Sequence, residues 1–370
     1  MKIAYLANVR FPSERAHAAQ IACTAQAFCE NSAIVELFVN TRSNASKGEV
    51  DGYFKINSKF LLHRLPYGVF LPKIRSAFYF SEVFFTLSFL LKFRTKNHDI
   101  FYSRSEWIIW CLSFFIASDK LVWESHEAKL NYPARKILKS EAFIVVISEG
   151  IFEEYREFGV DDNRMVVAHD GIDESFFGLV ASKMEARKKL NLPNEEKIVM
   201  YIGGFDEWKG VETFFAASNL CPEITFAAIG GSENEVLKYT KNYSKIKFLG
   251  QKPYFDLKDN QQAADVLVIP NSNKVKLSSH YTSPLKLFAH MASGVPLVVS
   301  DIPSIRRVTG DAQVTLVEPD SPEALAQGIR SAFNSITDKI MSAQLMVNRA
   351  RTYTWNERAS RILSKIHVAK

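Results

Sequence analysis

The sequence predicts an α/β protein with two doubly wound parallel domains, and three observations predict it. Its 370 residues exceed what one core fills, because single cores stop growing near roughly 250–300 residues. Short apolar, β-branched runs alternate with longer stretches of helical period along the whole chain, the pattern of parallel sheets covered on both faces. These runs fall into two sets of six, each enough for one sheet: 2–7, 34–39, 100–102, 121–123, 143–147 and 166–168, then 198–202, 224–229, 246–249, 266–269, 295–299 and 314–317.

The first run, at the N-terminus, carries one positive charge and is too short for a secretory leader, so it reads as a buried strand. Between the two sets lies His169-Asp170-Gly171-Ile172-Asp173, followed by a polar helical stretch over 181–189 and the turn-like Asn191-Leu192-Pro193-Asn194. That places one domain at 1–170 and a second at 171–350. The remaining 351–370 contain a helical segment, 355–367, with no strand after it, which is expected to cross back onto the first domain.

Composition excludes several classes. With 47% hydrophobic and 23% charged residues and only 13 Pro and 16 Gly, the chain is neither disordered nor fibrous. The four cysteines lack Cys-x-x-Cys spacing, so neither a disulfide framework nor zinc is expected and a reducing cytoplasm fits. Net charge is +6, unevenly spread: residues 53–97 hold eight Lys or Arg, twelve Phe or Tyr, and one acid, Glu82. Rings that enter a headgroup boundary beside cations suit an anionic membrane surface. A core-packed helix with a solvated basic face is the alternative reading. The most apolar part, 77–91, falls short of the roughly 20 residues that span hydrocarbon. No nucleic-acid motif is present, so no nucleic-acid partner is expected.

The strongest local signal follows the run at 198–202: Gly203-Gly204-Phe205-Asp206-Glu207-Trp208-Lys209-Gly210, then a helical stretch over 211–218. Paired glycines let backbone amides approach an anion, a helix start adds partial positive charge, and Lys209 can meet a diphosphate as a point charge. Any strand-to-helix turn favours glycine, so this alone does not decide. Ser283-Pro284-Leu285-Lys286 opens a second helix that Gly294 stops, with Ser283 as cap and Pro284 in the first helical position. A well-capped helix without a ligand would show the same residues. Glu124 and His126 end the run at 121–123, at the strand edge where parallel sheets bind ligands, and the loop holding Glu14, Arg15 and His17 follows the first strand on the same edge. A strand-end histidine can equally be structural.

Gly-x-Gly-x-x-Gly, the Walker loop, Gly-x-Ser-x-Gly, His-Glu-x-x-His and a strand-terminal Asp-x-Asp are all missing. The expectation is chemistry without a metal or a resident cofactor.

Taken in order, these segments resemble the retaining glycosyltransferases of family 4, group 1, of the GT-B fold, over nearly the whole chain. The resemblance also draws on Val146-Ile147-Ser148-Glu149-Gly150, Ile229-Gly230-Gly231, Phe248-Leu249-Gly250, Ala264-Asp265-Val266-Leu267-Val268-Ile269-Pro270, Val295-Pro296 and Tyr353-Thr354-Trp355. It implies two Rossmann-like domains facing across a cleft, with acceptor held by the first and a UDP- or GDP-linked sugar donor by the second.

In that scheme Lys209 matches the family's diphosphate-binding lysine, and His126 the histidine that reaches toward the donor sugar. Gly203, Gly204, Gly231, Ser283, Pro284 and Leu285 would line the phosphates, while Phe248, Gly250, Gln251 and Lys252 would meet the base. Glu14, Arg15, His17 and Glu124 would lie on the acceptor side. Two departures stand out: Gly204 replaces an arginine, and Tyr281 and Ala289 replace two glutamates, the second of which binds ribose. Lys286 is expected to act as a compensating cation. The implied activity is metal-independent, retaining sugar transfer to a lipid-linked saccharide at the cytoplasmic membrane face, in bacterial capsule or lipopolysaccharide assembly. The departures leave open a silent nucleotide-sugar, glycan or partner-binding module, and a sugar-nucleotide epimerase is a third reading.

Overall fold

The computed structural model describes residues 1–13, 16–66, 75–93, 95–253, 256–310, 312–334 and 339–368, the side chains of 16, 75, 76, 339 and 340 excepted. The chain forms two compact units, Met1–Asp170 with Trp355–Lys370, and Gly171–Thr354. Each is built on one parallel sheet.

The first sheet contains β1 (Lys2–Ala7), β2 (Ile34–Asn40), β3 (Leu61–Leu65), β4 (Ile100–Ser103), β5 (Leu121–Ser125), β6 (Phe143–Val146) and β7 (Met165–Val167), in the order β3-β2-β1-β4-β5-β6-β7. The second contains β8 (Ile198–Ile202), β9 (Thr225–Ile229), β10 (Lys247–Phe248), β11 (Val266–Ile269), β12 (Leu297–Ser300) and β13 (Thr315–Val317), in the order β10-β9-β8-β11-β12-β13. Both orders are doubly wound. Their direction reverses between β1 and β4 and between β8 and β11, and ligands of such sheets bind outside the carboxyl ends of the strands at that reversal. The inner strands are buried on both faces, β4, β6, β8 and β11 throughout, which explains why they read as continuous apolar runs rather than alternating ones.

One strand escaped the sequence. β3 reads Leu-Leu-His-Arg-Leu and pairs with β2 alone, from Glu36 opposite Leu61 to Asn40 opposite Leu65. An edge strand needs no unbroken apolar run, and here Leu61 is exposed while His63 stacks on Phe38 at 4.8 Å.

The closing helix Trp355–Val368 packs in the first unit on the helix Ala16–Glu30, so the return starts at Trp355 and residues 351–354 stay with the second. Its buried stripe is Trp355, Arg358, Ala359, Ile362 and Ile366, apolar at helical spacing save for one arginine.

Within the segment 53–97, the helix Arg75–Lys92 is unusual. Its inward face carries Ser81, Glu82, Phe85, Thr86 and Phe89, all buried, whereas Phe80, Phe84, Leu87 and Leu91 face solvent. The exposed stripe is therefore aromatic and aliphatic rather than basic. Glu82 accepts hydrogen bonds from Asn8 Nδ2 at 3.0 Å and Ser105 Oγ at 2.7 Å, and burial pushes its carboxyl up to about 7. Among the described residues no helix is long and apolar enough to cross a membrane.

Candidate active site

The second unit assembles its residues where β8, β9 and β11 end. Gly203 and Gly204 leave β8, and Gly230 and Gly231 leave β9. Gly203 N–H donates to Ile229 O, and Gly230 N–H to Gly250 O, both at 2.9 Å. The two turns touch so closely that a Cβ on Gly230, at φ 126°, would lie 1.9 Å from the Gly203 carbonyl oxygen. Gly210, at φ 67°, is pressed onto the loop after β11, where a Cβ would meet Pro270 O at 1.8 Å. Ser272 N–H and Ser278 Oγ both donate to Trp208 O at 3.1 Å. The glycine-lined turn is thus fixed from two sides, and Lys209 projects from its end.

Lys209 Nζ donates to Asp206 Oδ2 at 2.6 Å, and this bond first of all holds the Asp206 carboxyl below its usual range. A Cβ on Gly204 would meet Lys209 Nζ at 2.8 Å and Asp206 Oδ2 at 2.9 Å. Where the family resemblance expects an arginine, the space is filled by this ion pair.

Lys286 reaches the same place from the helix Leu285–Ser293. Its ammonium nitrogen is shielded from solvent, has no hydrogen-bond partner among the described residues, and lies 5.0 Å from the centre of the Tyr201 ring. Tyr201 Oη donates to Gly204 O at 2.6 Å, which ties that ring to the glycine turn. Burial, and then the neighbouring Lys209, push the Lys286 amine down to about 7. One turn further along, buried His290 is pushed down to about 3, by burial first and by Lys286 second, and its Nδ1 pairs with Gln261 Oε1 at 2.7 Å.

The start of this helix differs from the expectation. Pro284, at φ −80° and ψ 92°, is itself the capping residue, no side chain caps the start, and the helix begins at Leu285 rather than at Pro284. Proline brings no N–H of its own, and extended backbone at ψ 92° places it outside the helix. Ser283 is buried just before it. Phe248 packs on Phe205 with ring centres 6.2 Å apart, and Gly250 holds Gly230, so the expected base segment adjoins the glycine turns, with Gln251 and Lys252 exposed. Ala289 is buried on the same helix as Lys286.

The first unit gathers a separate cluster at the carboxyl ends of β4 and β5. Glu124 is 1% exposed, and one of its oxygens accepts from the Tyr102 hydroxyl while the other meets His126 Nε2 and Arg358 Nη2, the latter at 2.9 Å. Arg104 Nη2 lies 2.9 Å from His126 Nδ1 and Arg104 Nη1 2.9 Å from Gln20 Oε1. Gln20 Nε2 in turn donates to Asp170 at 2.8 Å. Burial would raise Glu124, but Arg358, His126 and Arg104 together hold it well below the carboxylate range. Burial and then Arg104 push His126 down. Because guanidinium can only donate, His126 Nδ1 is the acceptor and Nε2–H points to Glu124. The Glu124 carboxylate is thus buried and engaged by its neighbours. His17 contributes its carbonyl, which accepts from Arg104 at 3.4 Å. Glu14 and Arg15 lie outside the described residues.

Glu124, His126 and Asp170 each bring one ligand-type atom within 4.8 Å of the others. Arg104 and Arg358 already pair with Glu124, one of the two carboxylates that a cation would need.

Two parallel doubly wound sheets of this order, with glycine turns at the carboxyl edge of the second, have the GT-B architecture of glycosyltransferases. Residues 182–350 match the model of the family glycosyl transferases group 1. A Bacillus subtilis protein named for teichuronic acid biosynthesis is 26% identical over 209 residues, which are 55% of this chain and 50% of that one. The chain spans about half to three-fifths of the length of the curated relatives it matches. A sucrose-phosphate synthase from Thermosynechococcus elongatus superposes over 100% of both chains with a TM-score of 0.78 at 18% identity. The Anabaena protein HepE, solved with UDP, does so over 100% of both chains with a TM-score of 0.74 at 14% identity.

Sequence reasoning missed Tyr201, Asp206, Arg104 and Arg358. An arginine on the otherwise apolar stripe of the last helix was the readable signal for Arg358. The tight contact of Gly230 with Gly203 gives a direct check: Gly230→Ala is expected to lower unfolding free energy in urea by at least about 2 kcal/mol, through backbone strain and collision. An unchanged midpoint would reject this account of the turn.

Proposed function

We propose that this protein is a retaining, metal-independent glycosyltransferase that moves a sugar from a UDP- or GDP-linked donor to a lipid-linked saccharide acceptor, at the inner face of an anionic membrane, in bacterial surface polysaccharide synthesis. The observation that carries it is Lys286. A shielded ammonium without an acceptor, set beside a second ammonium at a glycine-lined turn, is stabilised by an anion with more than one charge.

As the bond from the sugar to the β-phosphate breaks, negative charge grows on the departing oxygen. Lys209, Lys286 and the helix start at Leu285 are fixed donors for that charge. The acceptor hydroxyl forms the new bond on the same face and gives its proton to the leaving phosphate, so no protein base is required. His126, with both ring nitrogens engaged, orients the sugar rather than taking a proton. The outward stripe Phe80, Phe84, Leu87 and Leu91, with exposed Lys92 and Lys96 at its end, suits insertion of rings and aliphatic chains below anionic headgroups. Gly204 and Ala289 keep a silent binding module as the second reading. Nucleotide release from a panel of UDP- and GDP-sugars, with and without membrane lipid extract, separates the two, since binding without release supports the silent module.

Lys209→Ala is expected to lower turnover by at least about 100-fold, and near-normal turnover would remove Lys209 from the site. The charge on Lys286 is present below about pH 7 and lost above it, and the groups facing it are Lys209, Asp206, His290 and the Tyr201 ring. Donor binding must therefore take up a proton at higher pH. Calorimetry with a nucleotide-sugar, whose phosphates do not titrate there, should show affinity falling by up to about tenfold per pH unit above 7. Lys286→Met should weaken binding and flatten that profile; a flat profile in the unsubstituted protein contradicts the assignment. Vesicles containing anionic phospholipid should bind the protein in a salt-sensitive manner, and Phe80→Ser with Phe84→Ser should release it. Equal retention of that double variant would withdraw the membrane partner.

A further inference from the structure

The closing helix contributes a charged group to the His126 cluster that no turn motif announces. Arg358 is 4% exposed on the face that packs against Ala16–Glu30, and its Nη1 donates to Thr24 Oγ1 at 3.3 Å. Its Nη2 stands 2.9 Å from Glu124 Oε1, the same oxygen that receives His126 Nε2–H. On the other side of the imidazole, Arg104 donates to Nδ1 at 2.9 Å. His126 is thus the middle member of a chain running Arg358, Glu124, His126, Arg104, with the Tyr102 hydroxyl on the second oxygen of Glu124.

We infer that Arg358 is a positioning residue that acts through Glu124 to keep His126 as the neutral Nε2–H tautomer in one orientation. Two guanidiniums and one carboxylate surround the ring. With Arg358 in place, Glu124 is balanced from behind and accepts the Nε2 proton without drawing a second proton onto Nδ1. Without Arg358 the carboxylate has Arg104, with Nε at 3.8 Å, as its counter-charge among the described residues, and the imidazole becomes the nearest of them able to supply one. Tyr5, Tyr102 and Asp170 are the other titratable groups around the cluster among the described residues.

This inference rests on the proposed role of His126, but its test does not use activity. The imidazole of His126 is followed by NMR in histidine-labelled full-length protein, assigned with His126→Gln, across pH. Arg358→Gln should raise the titration midpoint of His126 by at least about one pH unit, the usual scale for unbalancing a neighbouring charge. Arg358→Lys should restore most of the original midpoint. Glu124→Gln should move the midpoint the other way, downward, because both guanidiniums are then uncompensated. Should Arg358→Gln fail to fold, Arg358→Met, which keeps the apolar stem and removes the charge, is read for the same upward shift. The idea is overturned by a His126 midpoint and tautomer indifferent to loss of the Arg358 charge. Donor turnover, measured separately, reports on the transferase reading: an inert wild-type enzyme with a responsive His126 would sink that reading and leave this assignment in place.

Discussion

An ammonium group removed from water with no oxygen to receive its protons is an unfavourable arrangement, and Lys286 is held in it by the structure around it. Its nitrogen has the face of Tyr201 on one side and Lys209 nearby, while the one neighbouring carboxylate among the described residues, Asp206, is bonded to Lys209. The arrangement persists because the helix that carries Lys286 is anchored by a buried face of Leu287, Phe288, Met291 and Ala292, and because Phe288 stacks on Tyr353 at 4.5 Å. Folding energy from the core thus maintains an electrostatic imbalance at the surface of the sheet. Diphosphate binding would correct it. The glycine turns at 203–204 and 230–231 matter for the same reason, since they bring backbone rather than side chains to that spot.

The first unit solves the opposite electrostatic problem. There the shielded charge is a carboxylate, Glu124, and the structure supplies two guanidiniums, a tyrosine hydroxyl and an imidazole to satisfy it. In that cluster the buried carboxylate is paired, while Arg358 Nε has no hydrogen-bond partner among the described residues. The cluster's effect is to fix one imidazole, with the last helix of the chain supplying part of the scaffold. A fixed imidazole is what the proposed role of His126 requires.

The layout of both sheets was readable because buried parallel strands favour apolar, β-branched runs, and twelve of the thirteen strands among the described residues overlap such runs. β3 did not, since its solvent edge relaxes that demand. Gly210 was legible because backbone at φ 67° pressed against Pro270 leaves room for glycine alone. Lys286 was legible only as a cation after Ser283-Pro284; its isolation depends on Tyr201 and Asp206, which tertiary packing brings together. Arg358 could not be assigned to Glu124 from sequence, for the pair joins the last helix to the fifth strand. The segment 53–97 stands out by its composition, yet which face of the helix Arg75–Lys92 meets solvent is a property of packing, and that face is apolar.

The most direct test of the central claim is a crystal structure with a bound nucleoside diphosphate. The account predicts β-phosphate oxygens within hydrogen-bond distance of both Lys209 Nζ and Lys286 Nζ, with Asp206 displaced from Lys209. A nucleotide bound elsewhere, or one that leaves Lys286 facing only the Tyr201 ring, would contradict it.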